Sequence, residues 1–378
     1  MMNVEIPYFL PWITNEDKKL VLKSLEQRWL TNGNFLRKFE KKLGKFLETK
    51  NVAGVGSATQ ALHLSLRAAG IKENDEVIVP TFTFVATANA VRYCNAKPIL
   101  ADVDQHTFNI LPTEIEKKIS KKTRAIIVVH YGGQSCDMDQ IQEIAKKNNL
   151  IIIEDCAHAL GSTYKKKKCG SIGLSGCFSF YPTKIITTGE GGAVSTNNTK
   201  FAQNIKILRS QGMDKSAAQR EQDLEWKYDI VDLGYNYRMD EIRASLGFSQ
   251  LKRINEINNK RKHIAKFYDT QLKNVKGLEI PHTKNDRNHI YHLYTIKVTK
   301  DYHLTRNELF KKFSKNKIGT SVQYTPVHLM SLYKKEYSKK EKEFPNANLI
   351  KDQVLSLPIF PTMKLNQIKK VVSILTKN

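Results

Sequence analysis

The residues of this 378-residue chain with the most chemical promise stand where short apolar runs end. Lys184 closes Ser179-Phe180-Tyr181-Pro182-Thr183-Lys184 and precedes the glycine-rich stretch Thr187-Thr188-Gly189-Glu190-Gly191-Gly192. A lysine on a loop after an apolar strand can lose hydration, and its amine then drops in pKa toward what a Schiff base needs, although a lysine standing alone is more often an ordinary solvated one. Pro182 restricts the approach, and the glycines let backbone pass close to a flat ligand. Asp155 ends the run LIIIED. A carboxylate there either meets a ligand or caps the helical stretch 156–160, since burying it unpaired is costly. His158 shares that choice between facing a ligand and packing as an ordinary satisfied histidine. Gly54-Val55-Gly56-Ser57-Ala58-Thr59 joins a strand to a helix, where unpaired amides and hydroxyls make a phosphate seat. The same residues also suit a plain capped turn. The turn is no dinucleotide fingerprint, because Thr59 stands where the third glycine belongs, and no GK[ST] follows to make a P-loop.

Together these groups point to one cofactor. A phosphate seat, a carboxylate after a buried strand and a lysine after a later strand are the three anchors of pyridoxal phosphate (PLP). The helix terminus holds the phosphate, the carboxylate keeps the pyridine nitrogen protonated, and the lysine carries the aldehyde. Phe82, in Pro80-Thr81-Phe82-Thr83-Phe84, offers a flat face for the ring.

The elements that must position these groups follow from apolar patterning. Residues 17–48 read as helices around the turn Thr31-Asn32-Gly33. Short apolar strands are expected at 51–56, 76–79, 98–101, 124–129, 150–154, 177–181 and 192–195. Helices such as 58–69 and 137–148 lie between them. Continuous apolar strands separated by helices imply a mostly parallel sheet covered on both faces, with ligands beyond the strands' carboxyl ends. Residues 240–270 read as one long polar helix. We expect a large α/β domain over 1–248 and a smaller one over 249–378.

Composition narrows the classes. Lys+Arg 61 against Asp+Glu 37 gives a net charge of +24, which favours anionic partners. The lysines are scattered rather than gathered in one arm, and no helix-turn-helix, finger or aromatic-basic ribbon is present to bind nucleic acid. His289-x-x-His292 lacks further ligands at useful spacing for zinc, so no metal is expected. The five cysteines form no CxxC pair, which suits a reducing cytoplasm. No apolar run approaches a membrane span, and the amino terminus does not read as a secretory signal.

The blocks GSATQALHLSLRAAGI, DEVIVPTFTFVATANAV, IEDCAHALGSTY, GCFSFYPTKIITTGEGGAV and LGYNYRMDEIRASLG resemble the DegT/DnrJ/EryC1/StrS sugar-nucleotide aminotransferases. The resemblance runs from about Asn32 to Pro361, in the family's order and spacing. It implies an α/β, aspartate-aminotransferase-like fold (fold type I). By the same resemblance Lys184 is the Schiff-base lysine and Asp155 the pyridinium partner. Ala58 and Thr59 then belong to the phosphate turn, Ser179 is a second phosphate ligand, and Phe82 is the stacking aromatic. His158 falls near the cofactor's phenolic oxygen, where many members have Gln. Asn236 matches a residue that reaches the neighbouring subunit's phosphate, which implies a homodimer with shared active sites. Tyr324 and His328 match the segment lining the sugar-nucleotide cleft, and Arg238 is a candidate anion contact. Ala58 departs from the family's usual glycine, and GGQSCDM varies the loop near Tyr131. Relatives with His in place of the lysine are dehydratases, so Lys184 implies amino transfer from L-glutamate to a nucleotide-linked keto sugar. TTGEGG resembles members acting at sugar carbon 4, whereas carbon-3 enzymes tend to carry Asp at the Glu190 position. A carbon-3 aminotransferase or an eliminating relative is the alternative.

Overall fold

The computed structural model describes residues 4–215, 220–221, 224 and 226–376. The first five strands are β1 (Asn51–Val55), β2 (Glu76–Pro80), β3 (Lys97–Ala101), β4 (Thr123–Val129) and β5 (Ile151–Asp155). A small hairpin, β6 (Thr163–Tyr164) and β7 (Lys167–Lys168), comes next, then β8 (Ser175–Ser179) and β9 (Gly192–Thr196). Seven of these form one sheet in the order β1-β9-β8-β5-β4-β2-β3. Only β9 runs against its neighbours. The expected mostly parallel sheet is therefore present, at nearly the expected boundaries.

Successive side chains of a strand point to opposite faces, and both faces here are apolar. Ile78, Ile126 and Ile152 pack on one side with Met138 and Ile141 of a covering helix. Val77, Val79, Ile127 and Ile153 pack on the other with Leu62, Leu64 and Leu66 of α3, after α1 (Asn15–Leu25), α2 (Asn34–Leu47) and α3 (Ala58–Ala68) in chain order. Burial on both faces explains why the strands read as unbroken apolar runs. The lysine run 165–168 makes the β6–β7 turn, with Lys165 and Lys166 at φ 43° and 72°.

Residues after 250 build a second sheet, β10 (Leu278–Glu279), β12 (Tyr294–Val298) and β13 (Val354–Leu357), while β11 (Arg287–Asn288) pairs with β6. The expected single helix over 240–270 is two helices, Glu241–Leu251 and Ile254–Leu272. The break falls at Lys252-Arg253, where the Arg253 guanidinium turns back to buried Asp17 at 2.9 Å and to the Trp12 carbonyl at 3.1 Å. That pairing ties α1 to the break, a long-range contact that helical periodicity does not encode. The chain's beginning is also tied across the molecule: Glu5 donates to the Lys317 carbonyl and Gly319 to the Ile6 carbonyl. No helix among the described residues is long and apolar enough to cross a membrane. All five cysteines are buried and free, as reduced-thiol usage predicts.

Candidate active site

The carboxyl ends of β5 and β8 and the amino end of α3 converge on a cavity of about 440 Å³. Its walls include Ala58, Thr59, Asp155, His158, Ser179, Lys184 and Tyr324. Seven of the expected site residues, from segments spread over 266 sequence positions, thus share one space.

The phosphate turn forms because Ser57 caps α3, its hydroxyl accepting from the Gln60 amide at 3.2 Å. That leaves the first amides of α3 directed at the cavity, as an anion seat requires. The turn is pressed against β9. A Cβ on Gly192 would lie 2.4 Å from the Ser57 carbonyl carbon and 2.7 Å from the Ala58 nitrogen. Because backbone atoms cannot swing aside, Gly192→Ala is expected to cost about 1–3 kcal/mol of stability and to weaken cofactor binding. Thermal melting and a fluorescence titration with PLP check both; an unchanged titration would mean that the turn does not set the affinity.

Asp155 sits between Val129 and Cys177 in the sheet register. Its carboxylate accepts from the Thr87 hydroxyl at 2.9 Å and from the Ala157 amide at 3.1 Å. Burial raises its pKa, while these two donors, Lys184 and His130 pull it back down. Thr87 was not visible as a site residue, because nothing in local spacing couples positions 87 and 155. Removing its hydroxyl in Thr87→Val takes away a donor to the charged form, so the Asp155 pKa rises further. The acid limb of the kcat/KM profile, where Asp155 gains a proton, is expected to move to higher pH. An unmoved acid limb would assign that limb to another group.

Lys184 follows β8 on a tight loop: its amide donates to the Tyr181 carbonyl at 2.9 Å, and Thr188 donates to the Phe180 carbonyl at 2.9 Å. Burial pushes the amine down to about 8, with Asp155 partly opposing. This is the desolvated lysine that the sequence implies. His158 accepts from the Gly132 amide at Nδ1 and lies 2.9 Å from the Tyr324 hydroxyl through Nε2. Burial, then Lys184, keeps its ring neutral, well below the ordinary histidine range.

Four expected site residues lie elsewhere. Phe82 is fully buried against Phe108 and Tyr131. The chain bends after β2, and Phe84, two residues on, lines the cavity instead. His328 is also buried: its Nδ1 lies 2.7 Å from the Thr81 hydroxyl and its ring stacks on Phe344. With Val327, which donates to the Thr81 carbonyl, it braces the loop that presents Phe84. Asn236 is exposed and bridges to Ser210, Arg238 is partly exposed and bridges to Val55 of β1, and neither lines the cavity.

Of the two histidines weighed for zinc, His289 accepts from the Tyr291 amide and His292 packs on His158. A separate buried group, His130, Glu154 and Cys156, is close enough to hold an ion. Glu154 there already accepts from His130 and from the Gly170, Ile172 and Gly173 amides, which satisfies its oxygens. These residues hold the 170–173 turn and need no metal.

The donor set fits PLP: an amide-lined anion seat, a hydrogen-bonded buried carboxylate, a desolvated lysine and an aromatic face on one cavity. Fold and site together define an aminotransferase of the aspartate-aminotransferase-like α/β class. The chain belongs to the DegT/DnrJ/EryC1/StrS aminotransferase family, whose model matches residues 11–376. It is 38% identical over 367 residues to GDP-perosamine synthase of Escherichia coli O157:H7, covering 96% of this chain and 95% of that one. It is 37% identical over 362 residues to the UDP-4-amino-4,6-dideoxy-N-acetyl-beta-L-altrosamine transaminase of Campylobacter jejuni strain 81-176, covering 95% and 93%. Among solved structures, Spr1654 of Streptococcus pneumoniae superposes with TM-score 0.91 in its PMP form and 0.90 in its PLP form. Identity there is 29%, and 98% of each chain is covered.

Proposed function

We propose that the protein uses PLP to move an amino group from L-glutamate to a nucleotide-linked 4-keto-6-deoxy sugar, giving the 4-amino sugar. The observation that carries the reading is the meeting of Lys184, Asp155 and the Ser57–Thr59 turn on one cavity. When bound, PLP supplies the carbonyl carbon that takes and gives the amino group, and a ring that stores the electron pair. In this reading Ser57, Ala58, Thr59 and Ser179 bind the phosphate. Asp155 holds a proton on the ring nitrogen, Phe84 covers a ring face, and His158 approaches the phenolic oxygen. Lys184, with its amine near the working pH, takes the proton from the donor's α carbon and returns one at the sugar's reacting carbon.

The carbon-4 preference rests on Thr187-Thr188-Gly189-Glu190-Gly191-Gly192, with Glu190 on the cavity wall, and on the similarity to a transaminase named for a 4-amino-4,6-dideoxy sugar. The similarity to GDP-perosamine synthase leaves UDP and GDP both to be tried, beside dTDP. The +24 charge suits a diphosphate-bearing substrate. A homodimer completes the reading: Asn236 is exposed, and Trp226, Ile230, Val231 and Leu233 nearby in sequence are exposed apolar side chains. In that dimer Asn236 reaches the partner's phosphate. Residues 1–248 serve as the cofactor-binding domain and 249–378 as the smaller one, working in the cytoplasm.

The test is the visible spectrum of the protein loaded with PLP, before and after glutamate, followed by UDP-, GDP- and dTDP-linked 4-keto and 3-keto sugars. Bleaching by glutamate and recovery with a 4-keto sugar support the reading. Recovery with a 3-keto sugar alone would move the amine to carbon 3. Turnover of a sugar without glutamate consumption would make it an eliminating enzyme.

A further inference from the structure

A second, smaller cavity adjoins the first and shares His158, Thr183, Lys184 and Tyr324 with it. Its remaining walls come from distant parts of the chain: Tyr8 and Phe9 from the amino terminus, His292 and Leu293 beside β12, Gln323, and Ile359 after β13. Its volume is about 30 Å³. A water needs roughly 10–15 Å³ by the same measure, so the space holds about two water-sized groups. It is too small for a pyranose ring and matches the two oxygens of a carboxylate.

The polar groups on its walls are arranged to donate. His158 accepts the Gly132 amide at Nδ1, so its neutral ring carries the proton on Nε2 and donates it to the Tyr324 oxygen. The Tyr324 hydroxyl proton is then left for something else. Tyr8 donates to Gln323 Oε1 at 2.9 Å, which leaves the Gln323 amide nitrogen without a partner among the described residues. His292 is 4% exposed, and its Nδ1 has no partner there either. Behind the wall the buried Arg261 guanidinium donates to the His292 carbonyl at 3.3 Å and the Ile359 carbonyl at 2.9 Å. No carboxylate pairs with Arg261 among the described residues, so its positive charge is left uncompensated beside the cavity.

We propose that this small cavity seats the carboxylate on the α carbon of the amino donor, with Tyr324 and Gln323 donating to its oxygens and Arg261 supplying the field. The inference rests on the reading that the donor is an amino acid. It accounts for how one site serves two unlike substrates: the donor is gripped here by its carboxylate, and the sugar, lacking one, is held from the larger cavity.

The experiment follows each half-reaction of the PLP-loaded protein separately by absorbance, against glutamate and against the accepted keto sugar. Calorimetric binding of glutarate, which has carboxylates but no amine, gives a readout independent of turnover. Hydrogen bonds to charged groups are among the stronger ones. Tyr324→Phe and Gln323→Leu are therefore each expected to raise the Kd for glutamate and for glutarate at least about tenfold. In Gln323→Leu the sugar's Kd should stay within about twofold, because Gln323 borders only the small cavity and the sugar has no carboxylate to place there. Tyr324 borders both cavities, so its variant is read through glutamate and glutarate alone. Unchanged glutamate and glutarate binding in both variants would overturn the proposal, as would an equal loss for the sugar in Gln323→Leu. If wild type ignores glutamate, the donor identity fails separately, and the same variants are read with the amino acid that does react. If only amines without a carboxylate react, the carboxylate seat is overturned.

Discussion

Lys184→Ala is expected to lower amino transfer by at least about 10⁴-fold, since positioned acid–base groups alone contribute roughly 10²–10⁴ and the attachment of the cofactor is lost as well. The residue stands on the wall of both cavities, and neither wall includes another lysine to replace it. Its burial lowers the amine to about 8, which makes the neutral, proton-accepting form accessible near pH 8. In the proposed reading the phosphate is held by the amino end of α3 and Ser179, without the lysine. The variant should therefore still bind PLP, with a spectrum like that of the free aldehyde, while glutamate no longer converts it at the wild-type rate. Measuring both the spectrum and single-turnover kinetics separates loss of chemistry from loss of binding. Wild-type activity in this variant would sink the mechanism.

Asp155→Asn is expected to lower the rate by about 10³-fold, a loss like that seen when one preorganised electrostatic partner is removed. Asparagine keeps the shape but has one acceptor oxygen where Asp155 uses two, Oδ1 for the Ala157 amide at 3.1 Å and Oδ2 for the Thr87 hydroxyl at 2.9 Å. With its oxygen on Ala157, its NH2 faces Thr87, whose hydroxyl can turn to accept. What asparagine lacks is the charge that, in the proposed reading, holds a proton on the ring nitrogen. The same charge raises the Lys184 pKa, so its removal should lower that pKa further. The expected signature is thus a slow enzyme whose Lys184-dependent transition moves to lower pH. An unaltered rate would show that the ring nitrogen needs no anionic partner here.

Much of this site was legible in the sequence because parallel strands deliver their carboxyl ends to one edge of a sheet. Lys184 after β8, Asp155 at the end of β5 and Ser57–Thr59 after β1 each advertise themselves locally, as an odd polar group terminating an apolar run. Chain order and strand length then suffice to bring them together. The seven main strands are found close to their expected places for the same reason: burial on both faces leaves an unbroken apolar signal.

What only the tertiary structure decided lies between segments with no common period. Phe82 and Phe84 are the same residue type two positions apart, and the bend after β2 buries the first and turns the second to the cavity. His328 reads as a cleft residue until Thr81 and Phe344 are seen to enclose it. The 240–270 helix breaks because Arg253 answers Asp17. The amino end of α2 has no local cap; Glu241 supplies one from about two hundred positions away, accepting from the Gly33, Phe35 and Leu36 amides. The small cavity joins Tyr8, His292, Gln323 and Ile359 from four separate stretches. Local sequence governs which element forms and which group ends it. Which side chains share a space is set by contacts between residues far apart in the chain, and these exist only once the chain has folded.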